Sequence, residues 1–203
     1  MVNAVTTRKG QKIQAPSFIT TFFDHPLAGL IWLPIRVWLG WQWISASLHK
    51  FESPAWVQTG TALKGFWAGA VAIPATGSAP IQYDWYRAFI QMMLNTNAYI
   101  WFAKLVPVGE FLVGLTLILG IFTGFSAFVG GFMNWNFMMA GSASVNPMFF
   151  ALEVLLVMAW KVAGYFGVDY FLVPSLGQLW SGRKKVASTI PSRIPEGAEA
   201  SAD

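Results

Sequence analysis

Three stretches of this 203-residue chain, Leu27–Leu48, Tyr99–Ile121 and Pro147–Phe166, are long, apolar and almost free of charge. Each matches the roughly 20 residues that a helix needs to cross a bilayer. A fourth, Thr123–Ala140, is slightly shorter and follows the second after a Gly-containing break. Hydrophobic residues make up 55% of the chain and charged ones 11%, a balance that few soluble domains of this length show. In lipid the backbone must close its own hydrogen bonds, in helices or in a closed barrel, and runs without period-two alternation favour helices. The sequence therefore predicts an all-α integral membrane four-helix bundle, whose chemistry must sit on its few polar residues at membrane depth.

The chain has no Cys, so it forms no disulfide, thiolate metal site, iron–sulfur cluster or CxxC redox pair of its own. Its two His, His25 and His49, lie near opposite ends of the first stretch, so no metal and no two-His haem are expected from this chain alone. The formal charge of +4 comes from basic tails, which suit a cytoplasmic membrane surface. No nucleic-acid-binding pattern is visible.

Residues 1–26 read as a cytoplasmic arm without a signal-peptide cleavage pattern, with Phe18, Ile19, Phe22 and Phe23 on a short interfacial helix. Residues 27–172 form the four-helix domain, and 173–203 an interfacial segment with Trp180 and a polar, disordered tail from Arg183. The connection after His49, Lys50 and Glu52 is rich in aromatics and forms an amphipathic interfacial layer between the first and second crossings. Within it, a helix around 59–70 precedes one with Ile81, Trp85, Ala88, Phe89, Met92 and Met93 on its apolar side and Gln82, Asp84, Arg87 and Gln91 opposite. The turn at Gly120–Gly124 makes the second and third helices antiparallel neighbours, and Ser126, Gly130 and Gly131 give the third a small-residue face for close approach. Four crossings put both termini on one side. Arg8, Lys9 and Lys12 at one end and Arg183, Lys184, Lys185 and Arg193 at the other place that side in the cytoplasm of a plasma (cell inner) membrane.

Counting at about 1.5 Å per residue from the cytoplasmic ends puts Arg36, Glu110 and Asn134 at similar depth, with Glu153 somewhat further out. One polar layer drawn from all four helices is expected, with Arg36 paired to Glu110, since an isolated charge there costs ~3 kcal/mol or more. Such a pair either pins helix packing or forms a site for a polar head group such as a quinone carbonyl. Trp38, Trp41 and Trp43 crowd the layer on the first helix, and Trp135, Phe137, Met138 and Met139 on the third. These fill the core or face lipid, or else wall a flat-ring pocket. His49 and Lys50 are interfacial anchors or, jointly, an anion-binding site for substrate. Lys161 is expected to snorkel.

Arg36-Val-Trp-Leu-Gly40 with Lys50-Phe51, Gly109-Glu110 followed by Gly114-Leu115, Leu119-Gly-Ile-Phe-Thr123, Asn146-Pro147 and Gly164-Tyr-Phe-Gly-Val-Asp169 together resemble the DoxX/DoxD family. The likeness covers about residues 30–172. Leu63-Lys-Gly-Phe-Trp67 and Asp84-Trp-Tyr86 look like its DoxD side. The resemblance implies a four-helix membrane protein and, for DoxD-like members, the large subunit of a thiosulfate:quinone oxidoreductase, which forms tetrathionate and passes electrons to quinone.

Two functions follow. The first is a quinone-interacting membrane subunit of a redox complex, with quinone as cofactor held by Arg36, Glu110, Asn134, Trp38 and Trp41, and with a small redox subunit as partner. If it is an enzyme, it is a thiosulfate dehydrogenase (quinone) subunit. The second is a non-catalytic integral subunit or assembly factor of a larger respiratory or photosynthetic membrane complex, docking through its Trp-rich surface.

Overall fold

Glycines that let helix backbones touch set the architecture. The computed structural model describes residues 5–6, 8, 12–13 and 15–177; beside a two-residue antiparallel pair, β1 (Val5–Thr6) with β2 (Lys12–Ile13), its regular structure is helical. α1 (Ser17–Asp24) leads through a 3-10 turn into α2 (Gly29–Phe51). Three helices follow before the next long one: α3 (Pro54–Val57), α4 (Thr61–Val71) and α5 (Asp84–Asn95). Then come α6 (Tyr99–Leu119), α7 (Thr123–Met139), α8 (Asn146–Met158) and α9 (Trp160–Ala163), with further helical residues at 169–177. Trp180 and the basic and polar tail from Arg183 lie outside the described residues, as does Lys9.

α2 packs along α6 and α7 along α8. In the first pair the contact is reciprocal. A Cβ on Gly40 would lie 2.7 Å from the Gly114 carbonyl, and one on Gly114 would lie 2.6 Å from the Gly40 carbonyl, so only glycine permits this spacing. In the second pair Gly130 and Gly131 face Glu153, the role expected for the small-residue face of α7.

The α6–α7 turn is tight because Gly120 (φ +67°) takes the left-handed conformation that ends a helix, with Phe122 (φ +46°) joining it there. The Pro147–Phe166 stretch departs from expectation. Instead of one helix to Phe166, α8 stops at Met158 and α9 restarts at Trp160. The break accompanies the seating of Trp160 on α7, where a Cβ on Gly124 would come 2.5 Å from the Trp160 Cβ. α6 is long and apolar enough to cross a membrane, and α1 together with Pro26–Phe51, bent by 64°, meets the same criterion as a broken span.

α4 and α5 close one end of the bundle over a second apolar cluster that includes Leu63, Trp67, Ile81, Ile90 and Ala103. The buried face of α5 is Tyr86, Ile90 and Met93, while Trp85, Phe89 and Met92 are exposed. The expected apolar side was thus rotated by about one residue. The apolar arc of α5 opposite Asp84 and Gln91 is wide enough to hold both sets, so periodicity alone did not choose its inner edge, and the edge turned inward is the one from which the Tyr86 hydroxyl bonds Asn136 on α7. At the other end α1 packs onto α2 through Phe22 and Phe23 against Trp32, whose indole N–H donates to the Phe22 carbonyl at 3.0 Å. Lys161 pairs with Asp24 at 2.8 Å instead of extending free.

Candidate functional site

The polar residues expected in one layer separate into three clusters. Arg36 is almost fully buried, and it donates from Nη1 to the Leu117 carbonyl and from Nη2 to the Phe166 carbonyl, both at 3.0 Å. Leu117 stands in the last turn of α6, where its carbonyl takes only a long bond from the Gly120 N–H at 3.3 Å, so the guanidinium adds a second donor and meets the negative end of the helix dipole. A Cβ on Gly120 would collide with the guanidinium. Asp169 completes the knot. Its Oδ1 accepts from the Phe122 amide at 2.7 Å and its Oδ2 from the Thr123 amide at 2.8 Å, capping the start of α7 from a distant part of the chain. The 164–170 segment is also stitched to the turn by its backbone, Val168 N–H to the Leu119 carbonyl and Asp169 N–H to the Gly120 carbonyl.

Glu110, also almost fully buried, pairs with Lys50, whose Nζ donates to both carboxylate oxygens at 2.9 Å. Lys50 lies 5.4 Å from the centre of the Trp56 ring as well. The expected Arg36–Glu110 pair is therefore absent, and the reason is directional. Helical side chains lean toward the N-terminus of their own helix. On antiparallel α2 and α6 this carries Arg36 toward the α6–α7 turn, while it carries Glu110 toward the opposite end, where Lys50 leans to meet it. Depth counted along the axis ignored that lean.

The third cluster is Glu153, 0% exposed. Its Oε1 accepts from the Trp43 indole N–H at 2.9 Å and its Oε2 from the Asn134 amide at 2.7 Å. Asn134 thus joins Glu153 and not Arg36 or Glu110. Trp43 from α2 is a partner the sequence placed nearby without assigning it this role. Trp38 and Trp41 point outward, 42% and 58% exposed, and wall no pocket with Arg36 or Glu110. His49 is exposed, and Lys50 is spent on Glu110, so the two do not form a joint anion site.

The flat-ring pocket exists elsewhere. A cavity of about 340 Å³ lies under the α4–α5 cap, walled by Trp67, Phe89, Met93, Phe102, Phe137 and Tyr86 among others, with Gly109 opening its floor on α6. Its polar groups are Tyr86 and Asn136. The Tyr86 hydroxyl donates to the Asn136 carbonyl and lies near its side-chain oxygen, at 3.1 and 3.2 Å. Burial pushes the Tyr86 phenol above its usual pKa, which keeps it a donor at neutral pH. One Asn136 amide hydrogen goes to the Phe132 carbonyl at 2.8 Å, and the second has no partner among the described residues. Asp84-Trp-Tyr86, Leu63-Lys-Gly-Phe-Trp67 and Gly109 were the sequence signals that converge here, whereas Asn136 stands in no motif.

No family model matches the chain, and comparison with characterised proteins and with solved structures gave no match.

Proposed function

We propose that this chain is a four-helix membrane protein of the plasma membrane, crossing through α2, α6, α7 and the broken α8–α9, with cytoplasmic termini. On this reading it is the quinone-interacting subunit of a redox complex. The observation that carries the reading is the aromatic cavity under α4 and α5. A mostly apolar pocket with a few placed polar groups is the usual form of a site for a flat ring. The Asn136 amide offers a hydrogen to a ring carbonyl, Tyr86 holds Asn136 in place, and the exposed apolar face of α5 lies where an isoprenoid tail would run into lipid. The resemblance to DoxX/DoxD supports the same class, with thiosulfate as electron donor. The chain has no Cys, so electrons from sulfur reach the ring through a partner subunit, which the reading requires.

The test is extraction of quinone from protein purified in mild detergent from native membrane. The wild type should retain it, while Gly109→Leu, which fills the cavity floor, and Asn136→Leu, which removes the amide, should lose it without loss of fold. Retention by both variants would reject the site.

A second reading, a non-catalytic integral subunit of a larger membrane complex, is favoured by the use made of the deep charges. Arg36, through both terminal nitrogens, and Glu110 tie separate elements together, and the outward Trp38 and Trp41 suit contact with neighbouring chains. A large complex with its own complete electron path, co-purifying with this chain in stoichiometric amount and without quinone in the cavity, would select it.

A further inference from the structure

We propose that the outer face of α2 is the contact surface for a second copy of this chain, joined through a stripe of neutral polar side chains that lipid cannot satisfy. The inference rests on the reading above that α2 crosses the bilayer. Trp38, Gln42, Ser45 and His49 recur every three or four residues, so they share one face of the helix. Trp38 and His49 are exposed and Gln42 and Ser45 half-buried, whereas Arg36, Gly40, Trp43 and Ser47 on the opposite side are buried. The side chains of Gln42, Ser45 and His49 have no hydrogen-bond partner among the described residues. Elsewhere such groups close onto their own helix or its turn: the Thr116 hydroxyl donates to the Leu112 carbonyl at 2.7 Å, and the Ser126 hydroxyl to the Ile121 carbonyl at 3.1 Å. Gln42 stands about 20 Å along α2 from Gly29 and about 14 Å from Phe51 at roughly 1.5 Å per residue. At that depth no water or head group reaches its amide, and a neighbouring helix is what can bond it.

The stripe is complementary to itself. Copies of one chain insert with one topology, so a two-fold axis relating two of them runs along the membrane normal and sets α2 parallel to its own copy. Each residue of the stripe then meets its own number. A primary amide both donates and accepts, so Gln42 answers Gln42 with reciprocal bonds, and a hydroxyl does the same at Ser45. Charge does not oppose this pairing, because the one formal charge between Gly29 and Leu48 is Arg36, which is 1% exposed and turned the other way. Ser45 is small and lets the two backbones approach, while the exposed Trp38 and Trp41 one turn away supply apolar contact area. Trp38 also meets Phe149 of α8 edge-to-face with ring centres 5.7 Å apart, so α8 holds one border of the surface.

Cross-linking in native membranes tests the surface, since the chain has no Cys of its own. Ser45→Cys, oxidised with copper phenanthroline, should give a disulfide-linked dimer with twice the mass of the chain, while Leu112→Cys, exposed on α6, should stay monomeric under the same treatment. In neutral detergent, Gln42→Leu should weaken self-association of the full chain about fivefold or more by sedimentation equilibrium, the scale of a hydrogen bond between membrane helices. Ser45→Cys that stays monomeric, or that links to a different protein, would overturn the second copy as occupant. Equal self-association of wild type and Gln42→Leu would overturn the role of the stripe. Alkaline extraction of the same membranes separates the two readings: a chain released from them strikes the bilayer crossing itself, whereas a retained chain without the position-45 dimer strikes this inference alone.

Discussion

Lys50, near the end of α2, grips both carboxylate oxygens of Glu110 at 2.9 Å, across the helix pair whose backbones touch at Gly40 and Gly114. Glu110 is 2% exposed and Lys50 21%, so the carboxylate depends on the ammonium more than the ammonium on the carboxylate. Lys50→Met should therefore destabilise the fold by about 3 kcal/mol, the scale for stranding one partner of a buried pair. Adding Glu110→Leu should recover most of that loss, as read by thermal unfolding of the four proteins of the cycle in one detergent. Simple additivity of the two single losses would show that the pair is not coupled.

Asp169 caps α7 from the segment after α9, and its replacement separates charge from hydrogen bonding. Asp169→Ala should cost ~1–2 kcal/mol, the range for loss of a helix cap, and Asp169→Asn should cost less because an amide oxygen still accepts one of the two backbone hydrogens. Hydrogen exchange at the first turn of α7 should rise in the Ala variant before any change appears at α4. Equal protection in both variants would remove Asp169 from this role.

Glycines of one sequence type should behave oppositely according to what surrounds them. Gly114→Ala drives a methyl against the Gly40 backbone and should lose ~1–3 kcal/mol by overpacking. Gly65→Ala, in the interior of α4 with open space around its Cβ position, should gain about 0.5–1 kcal/mol from helix propensity. Melting temperatures moving in the same direction for both would contradict the α2–α6 contact.

The proposed topology is open to single-Cys labelling, because the native chain has no Cys. Ser78→Cys, in the exposed loop between α4 and α5, should react with an impermeant maleimide on intact cells. Ser188→Cys, beyond the described residues, should react only after permeabilisation. The reverse pattern would invert the orientation.

A purified chain without partners should show no thiosulfate-dependent reduction of quinone, since it carries no group able to take electrons from sulfur. Sustained turnover by the polypeptide alone would defeat the reading that a redox subunit is required.

Much of the helical fold was legible in residue order alone. Long uncharged runs specify helices whatever packs on them, and Gly120 and Pro147 mark boundaries by backbone sterics, so the starts of α6 and α7 were read to the residue and that of α8 to within one. Four of the buried polar residues were legible too, Arg36, Glu110, Asn134 and Glu153, whereas the burial of Asp169 was not. Their partners were not. Depth along a helix is a one-dimensional quantity, and it paired Arg36 with Glu110, whereas the lean of side chains on antiparallel helices sends the two apart and brings in Lys50 from the helix end. Asn136 and Tyr86 meet across α7 and α5, and although Tyr86 stands in a motif, nothing in α7 announces its partner. The break at Ala159 and the choice of α5's inner face likewise depend on what stands opposite, Gly124 in one case and Asn136 in the other. Local sterics and hydrophobicity act within a segment and can be read from it; hydrogen bonds and close contacts between segments exist only once both are placed.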